Sequence, residues 1–220
     1  MATRLYFPKS LAANVSPAFH VDWYKTSGAI RRTLATSKVL YNDSVGGDLL
    51  DGSPLGITLL AQYISLPLLG DQTVSGTVKM YTMCYEANAA DAHSNRLGIR
   101  IFSNDGLTQR GICLAVANYS PGTEFMDVTA RNKISADGDT LTSINALDGD
   151  KIVLEIGVNT GSGASPQGAY LFNCKSAQSD LPENETEVDT NLNPWIEFSA
   201  NLLFKNPIPA LGGAIFGQGF

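Results

Sequence analysis

Charge is scarce in this sequence. Charged residues fill 16% of its 220 positions, against roughly 25% in an ordinary soluble domain. Histidine is scarcer still, with His20 and His93 alone. They form no metal-binding pair, and no motif ties either of them to a serine and a carboxylate as a catalytic triad would need. The three cysteines, Cys84, Cys113 and Cys174, are odd in number and lack C-x-x-C spacing, which leaves neither a disulfide framework nor a zinc site. Each lies in an apolar, strand-like stretch where a reduced buried thiol belongs. One disulfide is compatible with the count, but Met1–Pro8 lacks the long apolar stretch of a secretory signal, so reduced cysteines are expected. No hydrophobic run approaches the ~18 residues of a membrane span. A basic excess is missing too: fifteen Lys and Arg stand against twenty-one Asp and Glu, a net charge of −6, which argues against a nucleic-acid surface.

What is present is apolar and glycine-rich, with 44% hydrophobic residues and twenty-one glycines. The recurring period is two, the mark of strands. Leu97, Ile99 and Ile101 alternate; Ser103-Asn104-Asp105-Gly106 supplies a turn; Ile112, Leu114 and Val116 alternate again, as in a hairpin. Leu147-Asp148-Gly149-Asp150 is a second turn, followed by Ile152, Leu154, Ile156 and Val158. From Val74 to Glu86 both phases are apolar, which predicts a strand covered on both sides. Further strands are expected at Arg4–Phe7, Ile30–Thr36, Thr58–Ile64, Phe125–Val128, Ala169–Cys174 and Trp195–Phe204. No stretch carries a convincing amphipathic helix. The pattern predicts an all-β fold, a single jelly-roll-like antiparallel β-sandwich over residues 1–205.

The net charge is local. Between Lys175 and Lys205 stand six acids and no base, whereas the rest of the chain balances at fifteen of each. Asp180–Asp189 is expected to be a solvated loop held open by like charges, and its spacing matches no calcium-loop template. Asp137-Gly138-Asp139 and Asp148-Gly149-Asp150 read as turns, and Gly161–Gly168 as a flexible loop without the lysine of a phosphate cradle. Residues 206–220 carry no charged side chain and form an extended C-terminal arm. Its Pro207, Leu211, Ile215, Phe216 and Phe220 are candidate assembly contacts, because an apolar tail calls for something to dock on. Trp23 and Tyr24, in an irregular segment, are candidate sugar-stacking residues. No cofactor motif, metal set or carboxylate pair stands out, and the expectation is that the chain is not an enzyme.

Several segments resemble a recurring group of roughly 200-residue proteins encoded by tailed phages and prophages. They include Val15-Ser16-Pro17-Ala18-Phe19 with Trp23, Gln62-Tyr63-Ile64-Ser65-Leu66-Pro67, Thr73–Lys79, and Ser103–Gly106 with Arg110-Gly111. Gly149–Gly157, Asp180–Thr186 and Asn193–Ser199 extend the likeness, which spans nearly residues 4–204; the arm falls outside it. The resemblance implies a virion structural or accessory protein, made in the host bacterial cytoplasm, with no catalytic residues to carry over. The expected role is capsid decoration or cementing through contacts with the major capsid protein or tail components, as a homo-oligomer. The alternative is a tail- or fibre-associated carbohydrate-binding module for host adhesion.

Overall fold

The structure is a computed structural model that describes residues 2–9, 11–24, 26, 29–38, 48–49, 56–86, 93–116, 129, 131–160, 169–171 and 179–205. Among the described residues there are thirteen strands and no α-helix. One sheet has six strands. These are β1 (Thr3–Tyr6), β3 (Asp48–Leu49), β6 (Thr77–Glu86), β9 (Arg131–Thr140), β12 (Ala169–Leu171) and β13 (Trp195–Phe198). The path runs β1-β13-β6-β12-β3, and β9 lies along the other edge of β6. A five-stranded sheet opposes it, ordered β2 (Ile30–Thr33), β4 (Gly56–Ile64), β11 (Lys151–Thr160), β7 (His93–Phe102), β8 (Gln109–Leu114). A small ribbon pairs β5 (Gln72–Val74) with β10 (Ile144–Ala146). The fold is all-β and sandwich-like, as the alternation predicts. It departs from pure antiparallel pairing at β2, which lies parallel to β4.

Period two explains the core. On β11, Ile152, Leu154, Ile156 and Val158 are fully buried. They pair across the sheet with Ile101, Ile99, Leu97 and Asn95 of β7. Leu5 of β1, Ile196 and Phe198 of β13, and Val78 and Met80 of β6 supply the opposing layer, each at 0% exposure. Every such side chain contributes about 1.5–3 kcal/mol by leaving water, and all belong to one continuous cluster. Cys84 and Cys113 are buried in it, and burial pushes the Cys113 thiol up to about 12. Neither is expected to react with iodoacetamide in the native protein at mildly alkaline pH, with full reaction in denaturant. Alkylation of native Cys113 would mean that this core opens locally.

Three local expectations are corrected. The stretch from Val74 to Glu86 is two strands, because Gly76 takes a left-handed φ of 87° and turns the chain between β5 and β6. Asp137-Gly138-Asp139 is no loop turn but lies inside β9. There Val78 faces Asp139 while Lys79 faces Asp137, so Gly138, at φ 78°, is the extra residue of a β-bulge. The expected strand at Phe125–Val128 and the loop at Gly161–Gly168 lie outside the described residues.

The third correction concerns the acidic segment. Its carboxylates reach solvent, but the segment folds down across the outer face of the six-stranded sheet. Leu181 is 2% exposed, and Trp195 donates its indole N–H to the Leu181 carbonyl at 2.9 Å. Asp180 pairs with Arg4 at 2.8 Å and with Lys38 at 3.1 Å, and Glu183 pairs with Lys79 at 3.0 Å. Buried Asn132 acts as a clasp: its amide donates to the Pro182 carbonyl at 3.1 Å and to the Asn184 carbonyl, and its oxygen accepts from Glu187 N at 2.8 Å. This cover is why Tyr81, on the second apolar phase of β6, is buried against Trp195 with ring centroids 5.0 Å apart.

Candidate functional site

The five-stranded sheet carries a cover of its own, and the candidate site lies there. On β11 the phase opposite the core reads Lys151, Val153, Glu155, Gly157. Cross-strand pairing sets these beside Phe102 and Arg100 of β7 and beside Ile64, Gln62 and Leu59 of β4. A strand with such residues on its second face would normally turn them to water. Here all are buried, because residues 11–24 run over them as a strap.

The strap is extended and alternates. Ala13, Val15, Pro17 and Phe19 are partly or fully buried, whereas Ala12, Asn14, Ser16 and Ala18 are exposed. Val15 and Ala13 pack on Ile64, Phe102 and Val153, and Phe19 packs with Trp23, Leu59 and Val116. Between these two apolar contacts lies one carboxylate. Glu155, at 0% exposure, accepts from the Arg100 guanidinium at 2.6 Å, the Trp23 indole N–H at 2.8 Å, the Gln62 amide at 2.9 Å and the His20 backbone N–H at 3.2 Å. Arg100 also donates to the Ala18 carbonyl at 2.6 Å and to Gln109 Oε1 at 3.0 Å. Gln62 in turn reaches the Pro17 carbonyl at 3.2 Å. Apart from the Arg100 Nε–H, which finds no acceptor among the described residues, the buried pair thus has the additional hydrogen bonds that an ion pair needs once it is out of water. Burial lowers the Arg100 pKa, and the charge and hydrogen bond of Glu155 counter that effect. Arg31 closes the edge, its guanidinium 4.0 Å from the centre of the Phe19 ring.

Two clefts flank the strap. One, of about 330 Å³, is floored by Phe102, Ile112 and Arg100 and rimmed by Phe19, Val21 and Leu107. Val21 and Leu107 are 91% and 81% exposed, an unusual setting for large apolar side chains that share a rim. The other cleft, of about 380 Å³, opens at the start of the strap, between Leu11–Asn14, Thr33–Ser37 and Ser65–Pro67, with Lys151 in its wall.

The expected site residues fare unevenly. Trp23 is buried, 5% exposed, with its indole N–H spent on Glu155. It anchors the strap and has no open face for a sugar ring, which corrects its reading as a stacking residue. Tyr24 is 73% exposed and stands beside Gly56, so the two aromatic neighbours do not form one platform. Pro207, Leu211, Ile215, Phe216 and Phe220 lie outside the described residues. Among the described residues no group of three His, Cys, Asp or Glu is placed to hold a metal. The turn carboxylates serve the chain itself: Asp148 accepts from Gly70 N and Lys205 at 2.7 Å each, and Asp150 accepts from Leu147 N at 2.8 Å. Glu155, Arg100, Gln62 and Lys151 were missed. The available signal was the phase Lys-Val-Glu-Gly on β11, too apolar at Val153 and too small at Gly157 for a face left to solvent.

No protein-family model matches the chain, and no curated protein matches its sequence. Among solved structures it is similar to a CocE/NonD family hydrolase from Staphylococcus aureus, at TM-score 0.48 and 9% identity over 92% of this chain and 36% of that one. It is also similar to an alpha-amino acid ester hydrolase, at TM-score 0.41 and 7% identity over 90% of this chain and 36% of the other. The chain spans little more than a third of the length of these proteins. Because these neighbours are hydrolases, the expectation that the chain is not an enzyme is withdrawn. The likeness is too distant to bring a residue, substrate or reaction to this chain.

Proposed function

We propose that the chain is a structural subunit of a tailed-phage particle that decorates or cements the capsid through protein contacts. The observation that carries this reading is the cleft beneath Val21 and Leu107. The strap and the acidic segment each cover part of an outer face of the sandwich, yet these two large apolar side chains stand in water on one rim. An apolar side chain from a neighbouring capsid protein is the occupant that fits. Phe19, Phe102 and Ile112 give it an apolar bed, and a surface with few charges does not repel a close neighbour. Each anchor side chain seated there adds about 1.5–3 kcal/mol, and repetition over a symmetric shell multiplies a weak contact into a durable one. The motif resemblance to tailed-phage proteins, read from the sequence alone over nearly residues 4–204, favours the same reading.

The test is the chain's location and copy number in purified particles, by quantitative mass spectrometry and labelling electron microscopy. Hundreds of copies on the shell are expected, with loss of most of that occupancy for Val21→Asp combined with Leu107→Asp. A few copies confined to the tail, or none in the particle, would overturn the decoration role.

A further inference from the structure

The second cleft has a feature that assembly does not use. Lys151 begins β11 on the outer face, is 3% exposed, and forms no ion pair among the described residues. Its ammonium donates to the Asn104 carbonyl at 2.7 Å and more distantly, at 3.5 Å, to Asn14 Oδ1. A buried ammonium is normally matched by a carboxylate; here neutral oxygens hold it, and its third N–H has no protein acceptor among the described residues. Burial lowers the Lys151 pKa, against a weaker pull from the exposed Asp105. A ligand anion would relieve that cost.

The walls say what kind of anion. At about 380 Å³ the cleft is near the lower end of small-ligand sites, which run from about 300 to 1,000 Å³; it takes one ring rather than a polymer segment. Leu34, Leu66 and Pro67 form an apolar side, and Asn14, Thr36 and Ser37 bring amide and hydroxyl groups. One ammonium balances one negative charge, which favours a carboxylate over a doubly charged phosphate. An apolar wall against the C–H face of a ring, with hydroxyl partners at the edge, is the usual environment of a bound sugar.

From this juxtaposition we propose that the cleft between Asn14, Thr36, Pro67 and Lys151 binds a carboxylated sugar residue, a hexuronic acid, with its carboxylate on Lys151. The proposal is independent of the docking cleft at Val21 and Leu107, on the other side of the strap.

Titration of the full chain with glucuronate, glucose, acetate and inorganic phosphate, followed by amide chemical shifts and calorimetry, tests it. Glucuronate is expected to move amides at 11–14, 33–37 and 65–66, and to bind about tenfold or more tightly than glucose or acetate. Lys151→Met should weaken glucuronate by about tenfold or more. If that variant fails to fold, Leu66→Trp, which keeps the lysine and fills the apolar side, should abolish binding instead. No shifts at high millimolar glucuronate, or equal binding of glucose, would overturn the site. So would undiminished binding by either folded variant. Equal binding of acetate or phosphate would reduce it to a general anion hole and overturn the sugar assignment.

Discussion

Glu155→Ala is expected to destabilise the protein by about 3–5 kcal/mol, the usual cost of breaking a buried ion pair from one side. At a chain length of 220 residues this corresponds to a melting temperature lower by about 6–20 °C. The loss has two parts. Arg100, with its side chain 4% exposed, keeps the Ala18 carbonyl and Gln109 as acceptors but loses its only carboxylate partner among the described residues. The Trp23 indole N–H, the Gln62 amide and the His20 backbone N–H lose their acceptor at the same time, and each buried donor left unpaired costs about 1–3 kcal/mol if the strap stays in place. The strap has a cheaper route, which is to lift off. The variant should therefore show cleavage within residues 11–24 under limited proteolysis and red-shifted tryptophan emission before global unfolding.

Glu155→Gln separates charge from shape. Every partner of Glu155 is a donor, so an amide of the same size turns its own N–H₂ against N–H groups. Its cost should lie close to that of alanine rather than midway to wild type. If either variant melted within about 1 kcal/mol of wild type, with the strap still protected, the carboxylate would not be what fixes the strap.

How much of this was legible depends on sequence separation. The hairpin of β7 and β8 and the entry to β11 are local, set by alternation and by turn residues such as Asp105-Gly106 and Asp148-Gly149, and they appear where period two places them. β9 escaped because Arg131–Thr140 is polar and carries Asp-Gly-Asp, a turn signal that a bulge uses equally well. The strap escaped for a different reason. Alternation along one strand distinguishes its two faces but does not say whether the second face meets water or another part of the chain. Glu155 and Trp23 are 132 residues apart, and nothing near either of them announces the other. The acidic segment shows the same limit: its charge was legible, but the clasp at Asn132 joins stretches 50 residues apart, and Leu181 meets Trp195 from 14 residues away across an aperiodic loop. The inner core was thus readable strand by strand, and the candidate site, built between segments, was not.

Gly157→Ala carries the second large expected effect, and it tests the seat of the strap from below. Gly157 sits where the pairing of β11 with β4 slips, opposite Leu59. A Cβ there would run into the carbonyl oxygen of Thr58 and the six-membered ring of Trp23, whose Cη2 lies 2.8 Å from the methyl position. The carbonyl is part of the sheet and cannot give way without disturbing β4, so Trp23 must move. Moving it breaks the indole bond to Glu155. Overpacking alone costs about 1–3 kcal/mol, and a lost donor at a buried carboxylate adds a comparable amount, so the methyl group is expected to cost about 3 kcal/mol in all. Combining it with Trp23→Leu should recover only part of the loss, because the smaller side chain relieves the ring contact but leaves the methyl group against Thr58. Full recovery would locate the strain in the strap alone. No loss in the single variant would mean that Trp23 does not rest on Gly157 in solution, and the cover over the five-stranded sheet would then be held by Glu155 without its aromatic anchor.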